Sequence, residues 1–120
     1  MQLGVCMDLQ KIESKNNLIA FVRENIWSRF WLFKPKHGWI NGYVALPSTH
    51  PFYGLDYDEI DQHVDVHGGL TYSQSYVHEN ETYWLIGFDT MNSFDNPEYN
   101  NKEYVTNETL NLLKQCLEFK

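Results

Sequence analysis

The stretch His63-Val64-Asp65-Val66-His67-Gly68-Gly69-Leu70-Thr71-Tyr72-Ser73 decides how the chain is read. Its alternation predicts a strand with His63, Asp65 and His67 on one face and Val64 and Val66 on the other. One face is then apolar enough for a core. The other carries groups able to bind metal, move protons or grip a ligand. Gly68-Gly69 allows a bend or a close backbone approach before Leu70 resumes extended structure. A second polar cluster, Asp89-Thr90-Met91-Asn92, closes the strongest apolar strand, Tyr83 to Phe88. The functional site is expected where these two strand ends meet.

Working outward, Leu70 to Val77 continues extended, His78 to Glu81 makes a polar turn, and Thr82 to Phe88 completes a hairpin. Upstream, Trp39 to Leu46 alternates as a strand, with Gly42 marking a bulge or a close approach to another backbone. Pro47 ends it. The loop Pro47 to Tyr57 is too aromatic for idle solvent exposure and is expected to fold back over the body, with His50 held extended before Pro51. Asp56 to Asp61 forms a single helical turn.

Two helices are expected. The first starts at Ser14 or Asn17, because Leu18, Ile19, Val22, Ile26 and Phe30 recur at helical spacing, and Pro35 with Gly38 ends it. The last starts near the cap Asn107, with Leu110, Leu113 and Leu117 on its face, after a short strand at Glu103 to Thr106. Asn92 to Asn101 reads as loop, and the case for a strand at Leu3, Val5 and Met7 is weak. The expected fold is a single α+β domain over residues 1–120: a small antiparallel sheet of about four strands with two helices packed on one face.

At 120 residues and 42% hydrophobic, the chain can bury one real core. Aromatics at 16% exceed ordinary usage, so pocket lining is a second role for them after core packing. A net charge of −7 and a pI near 5.0 exclude a phosphate-backbone binder, which needs a basic face. Cys6 and Cys116 show no metal-type spacing and are expected as free thiols in a reducing cytoplasm rather than as a disulfide. No signal peptide or membrane span is expected, because Met1 to Met7 lacks a basic start and no apolar run is long enough.

Chemistry at the central cluster divides four ways. His63, Asp65 and His67, with His50 or Asp89, are ligand-type residues for a metal-dependent hydrolase. Same-face neighbours on a strand lie about 6.5–7 Å apart, however, and rarely converge on one ion. His67 as a general base oriented by Asp89 or Asp65 lacks a nucleophile signature around Thr71 or Ser73. A binding pocket fits better: Asn41, His67, Asp89 and Asn92 hydrogen-bond a ligand, Tyr43 and its neighbours stack on it, and Thr71 lies alongside. Gly68-Gly69 would offer backbone amides, and His50 reaches in from its loop. Its cations must come from Arg23, Arg29, Lys34 and Lys36. Fourth, the acidic run Asp56, Asp58, Glu59 and Asp61 could face a basic protein surface.

The motif order Asn41-Gly42-Tyr43-Val44-Ala45-Leu46-Pro47, His50-Pro51, Tyr53-Gly54, Val66-His67-Gly68-Gly69-Leu70-Thr71 and Gly87-Phe88-Asp89, then a closing helix, resembles a family of small bacteriophage-encoded proteins, mostly without assigned function. The resemblance runs from about Trp39 to Lys120. Members often carry a His three residues after the Asp of Gly-Phe-Asp, where this chain has Asn92, so a metal role at that position is lost here. The resemblance implies an accessory protein acting in the host bacterial cytoplasm. We therefore expect a non-enzymatic protein without cofactor that sequesters a host-derived small molecule such as a nucleotide signal, or blocks a host defence protein. Neither nucleic acid nor membrane is an expected partner, and self-association is open.

Overall fold

The computed structural model of the protein describes residues 9–24, 40–89 and 102–119. Five antiparallel strands, β1 (Gln10–Lys15), β2 (Leu18–Glu24), β3 (Ile40–Leu46), β4 (Tyr72–His78) and β5 (Glu81–Asp89), form one sheet in the order β1-β2-β3-β5-β4. Two helices, α1 (Tyr57–Asp61) and α2 (Lys102–Glu118), complete an α+β domain. The expected four strands are thus five.

The added strands replace the expected first helix. Asn16 and Asn17 do not cap a helix. They take φ of 51° and 69° and turn β1 directly into β2. Asparagine tolerates this left-handed pair better than most residues, and the primed turn it makes matches the twist of a hairpin. Leu18 to Val22 is buried at every position, with exposures of 5% or less, because β2 has covered residues on both faces. A strand buried on both sides reads as a continuous apolar run, and such a run also satisfies helical spacing by chance. The rest of that expected helix, and the aromatic run Trp27 to Phe33, lie outside the described residues, as do Cys6, Asn92 and the loop to Asn101.

Alternation along the strands sorts their side chains between two cores. Leu18, Ala20, Val22, Ile40, Val44, Leu46, Ile86 and Phe88 point to the helix side, where they meet Val105, Leu112, Leu113 and Cys116 of α2. Ile60 of α1 and Phe52 of the loop join the same cluster, so both helices and the folded-back loop cover one face. Each such side chain contributes roughly 1.5–3 kcal/mol by leaving water. Gly42 is the close approach: a Cβ there would meet Thr109 Oγ1 and come within 2.7 Å of the Phe88 ring. Helix α2 therefore sits on the sheet at a distance only glycine permits. Ile19, Phe21, Tyr43, Ala45, Tyr83 and Leu85 form the second core on the opposite face.

Two further expectations are corrected. Glu103 to Thr106 is not a strand but the first turns of α2, which starts at Lys102 rather than near Asn107. Val105, Thr109, Leu112 and Cys116 keep the helical spacing of one buried stripe, and this outweighs the β-propensity of Tyr104 and Val105. Residues 63–71 are not a strand either, since β4 starts only at Tyr72. Val66 is buried and Val64 packs on the core while Asp65 is exposed, so the in-and-out pattern holds. What is missing is a neighbouring strand.

Candidate functional site

Helix α2 supplies what a neighbouring strand would have given to residues 63–71. The Gln115 side-chain amide accepts from Asp65 N–H (2.8 Å) through Oε1 and donates to Asp65 C=O (2.9 Å) through Nε2. It reproduces the paired bonds of a β-ladder with one side chain. Glu108 Oε2 accepts from His67 N–H at 2.8 Å, and Tyr104 O–H lies 3.1 Å from His67 Nδ1. Residues 104, 108, 111 and 115 recur every three or four positions, so they make one polar stripe along α2. That stripe fixes His67 beside the helix.

The turn that follows is equally committed. Gly68 and Gly69 have φ of 72° and 83°, which L side chains rarely adopt. Gly69 N–H donates to Val66 C=O (2.9 Å), Leu70 N–H to Asp61 Oδ1 (2.9 Å), and Thr71 N–H to Gly87 C=O (2.9 Å). Three amides around the diglycine are thus spent on the fold itself. Asp61, expected as part of an acidic surface run, is instead the acceptor that holds this turn against α1.

His50 has a comparable structural task. Its Nδ1 accepts from Phe52 N–H (3.0 Å), which leaves the other nitrogen to carry the proton. Nε2–H then donates to the Cys116 carbonyl at 2.8 Å, one of the last carbonyls of α2. Around it Phe52 stacks on Phe119 (4.4 Å between centroids) and on His63 (5.8 Å). This knot seals the C-terminal end of α2. Beneath it, burial pushes the Cys116 thiol up to about 12. The cysteine is free and buried.

The remaining candidates meet on the other face. Arg23, Asn41 and Asp89 are partners across three adjacent strands, with Arg23 beside Asn41 and Asn41 beside Asp89. Thr71 Oγ1 donates to Asp89 Oδ2 at 3.2 Å. One rung inward, Phe21, Tyr43, Gly87 and Tyr72 form the next row. Gly87 keeps that row flat, since a Cβ on it would come within 2.8 Å of both the Tyr43 ring and the Gly42 carbonyl. Tyr43 and Tyr72 meet edge to face across it, 5.5 Å between centroids. Burial raises the Tyr72 pKa; the neighbouring Tyr43 adds to the rise, and Arg23 works against it.

Asn41 is the unusual member. Its Nδ2 donates to Tyr43 O–H at 3.1 Å, while its Oδ1 is buried without a hydrogen-bond partner among the described residues. A buried amide oxygen left unsatisfied costs about 1–3 kcal/mol. Native proteins leave few such groups, and each calls for an explanation. Arg23, Asn41, Tyr72 and Asp89 are half-buried and Thr71 is exposed, so the row forms a rim rather than a sealed interior.

The sequence-based site therefore divides. Asn41, Tyr43, Thr71 and Asp89 come together on the second face, whereas His50 and His67 are tied to α2, and Gly68-Gly69 belong to the turn that Leu70 N–H anchors on Asp61 of α1. Arg23 and Tyr72 join the first group. Arg23 was visible only as a cation assigned to a helix, and Tyr72 only as a strand aromatic. Among the described residues no three His, Cys, Asp or Glu side chains gather as a metal would require. An open groove of about 560 Å³ lies elsewhere, between β1 and α2 around Lys15, Leu113, Lys114 and Leu117. Among the described residues no helix is long and apolar enough to cross a membrane. No family model matches the chain, and neither a curated protein nor a solved structure gives a significant match.

Proposed function

We propose that this chain is a non-enzymatic accessory protein of the bacteriophage type, acting in the host bacterial cytoplasm. In this reading it sequesters a host-derived small molecule at the rim formed by Arg23, Asn41, Tyr72 and Asp89. The observation that carries the reading is the Asn41 Oδ1, without a hydrogen-bond partner among the described residues and set between a cation and a carboxylate beside two tyrosine rings. A planar heterocycle with an N–H donor satisfies that oxygen, its ring edge meets Tyr72, and an attached anionic group finds Arg23. A nucleotide-type signal has all three parts. Thr71 holds Asp89 in place as a second acceptor.

Native mass spectrometry of protein purified from a bacterial host, before and after denaturation, tests this directly. A small molecule released at near-stoichiometric amount, and absent from Asn41→Leu protein, supports the reading. A ligand-free mass, with no binding in a nucleotide screen, overturns it. The alternative of an acidic inhibitor of a host defence protein draws on Asp56, Asp58 and Glu59, which are exposed together at α1. Loss of partner capture on neutralising those three residues would favour it. The metal-hydrolase alternative has no gathered ligand set among the described residues.

A further inference from the structure

The two edges of the sheet are built differently. β1 carries Lys11, Glu13 and Lys15, and its register against β2 shifts between Lys11 and Glu13. Charges and a bulge are the usual devices that stop an edge strand from pairing with another chain. β4 has neither. Its sequence Tyr-Ser-Gln-Ser-Tyr-Val-His contains no Lys, Asp, Glu or Pro, and it runs in unbroken register with β5 from Tyr72 to His78. Val77 on this strand is 62% exposed, the most exposed large apolar side chain among the described residues.

The hairpin fixes which backbone groups face outward. Glu79 and Asn80, at φ of 51° and 69°, make a two-residue turn closed by His78 and Glu81. In such a turn the closing pair exchanges both hydrogen bonds, and bonded pairs then alternate along the ladder. Tyr72, Gln74, Tyr76 and His78 therefore direct their N–H and C=O to β5. Ser73, Ser75 and Val77 direct theirs away from the sheet. Among the described residues no group bonds the backbone N–H or C=O of these three on that side, and the contact made to them is Tyr57 N–H donating to the Ser73 hydroxyl at 3.0 Å.

We propose that this edge pairs with β4 of a second copy, antiparallel about a two-fold axis through Ser75. That register sets Ser75 opposite Ser75, and Ser73 opposite Val77. All three outward N–H groups and all three outward C=O groups of each copy are then satisfied at once, as an isologous contact requires. The side chains agree with it. Gln74 faces Tyr76, Tyr72 faces His78 of the second copy, and Val77 gains a neighbour, with no like charges opposed. A foreign strand could use the same edge; a second copy is the occupant because in this register its uncharged strand opposes no like charges and sets Tyr72 against His78.

Sedimentation equilibrium of the full chain tests the proposal, with circular dichroism to confirm each variant's fold. The wild type is expected to show a concentration-dependent monomer–dimer equilibrium. Ser75→Lys and Ser75→Glu, each placing like charges face to face on an exposed position, should weaken self-association about fivefold. Mixing the two variants should restore it as a heterodimer. Ser75→Pro removes an outward N–H without touching the β5 ladder and should abolish dimerisation in a folded monomer. A wild type that stays monomeric at millimolar concentration overturns the proposal, as does a dimer indifferent to all three substitutions.

Discussion

The two faces of one sheet follow different packing rules. The helix side is mostly aliphatic, with Phe52 and Phe88 among it, and closely fitted: Val44, Leu46, Ile86 and Leu112 are fully buried, and α2 rests on Gly42 with no room for a methyl group. The opposite side sets rings that carry hydroxyls among Ile19, Ala45 and Leu85. Tyr43, Tyr72, Tyr76 and Tyr83 surround Phe21, and Phe21 meets Tyr76 edge to face at 5.8 Å. Aliphatic packing leaves nothing to recognise. Tyrosines give a ligand both apolar area and directional bonds. The difference teaches that one sheet can carry a closely fitted face and a hydroxyl-bearing face on the same strands, and on the function proposed above it is the second that would meet the ligand.

The largest test of that division is alkaline pH. A thiol is neutral below its pKa, and Cys116 is held up to about 12 in the fold against an ordinary 9.0. The unfolded chain releases that proton first. The contribution is therefore whole below pH 9 and is lost as pH rises toward 12, by about 4 kcal/mol at most. Burial likewise raises Tyr72, Tyr76 and Tyr83 above 10.0, so the second face begins to weaken as pH passes 10, within the range over which the Cys116 contribution is lost. Stability from denaturant unfolding should start to fall near pH 9 and steepen beyond pH 10, where the tyrosines join. Cys116→Ala should move the onset to near pH 10 and make the fall shallower; an unchanged onset would break the comparison.

Next in size, Leu112→Ala on the helix side should cost about 3 kcal/mol, since a closely packed site cannot collapse around the cavity. Thermal melting checks this. Gln115→Ala should cost about 1 kcal/mol through the lost pair of bonds to Asp65. The smallest effect belongs to the rim. Asn41→Leu removes an unsatisfied buried oxygen and should leave stability within about 1 kcal/mol of wild type, or raise it. A large loss of melting temperature there would show that Asn41 is structural and that the two faces are alike.

The chain's alternation made β3, β4 and β5 legible, along with the loop that carries Phe52 and the turn at α1. It failed at Leu18 to Val22 for a physical reason: residues covered on both faces erase the period of two that marks a strand. The pair Asn16-Asn17 held the missing signal, but asparagine serves both as a helix cap and in a primed turn. At the site, the residue types at Asn41, Tyr43, Thr71 and Asp89 pointed to one place because sheet register joins them. His67 and Gly69 lie close by in sequence yet answer to Glu108 and Val66. A pattern of inward and outward residues says nothing about what supplies the hydrogen bonds, and here a helix does.

Gln115 and Glu108 turn two backbone amides into reporters of a distant event. Asp65 and His67 belong to no ladder, so their N–H groups owe their protection from solvent exchange to the side chains of α2. In a deuterium-exchange experiment these two amides should exchange together, at the rate at which α2 lifts from the sheet. The amides of β4 and β5 that bond within the sheet should remain protected until the sheet itself opens.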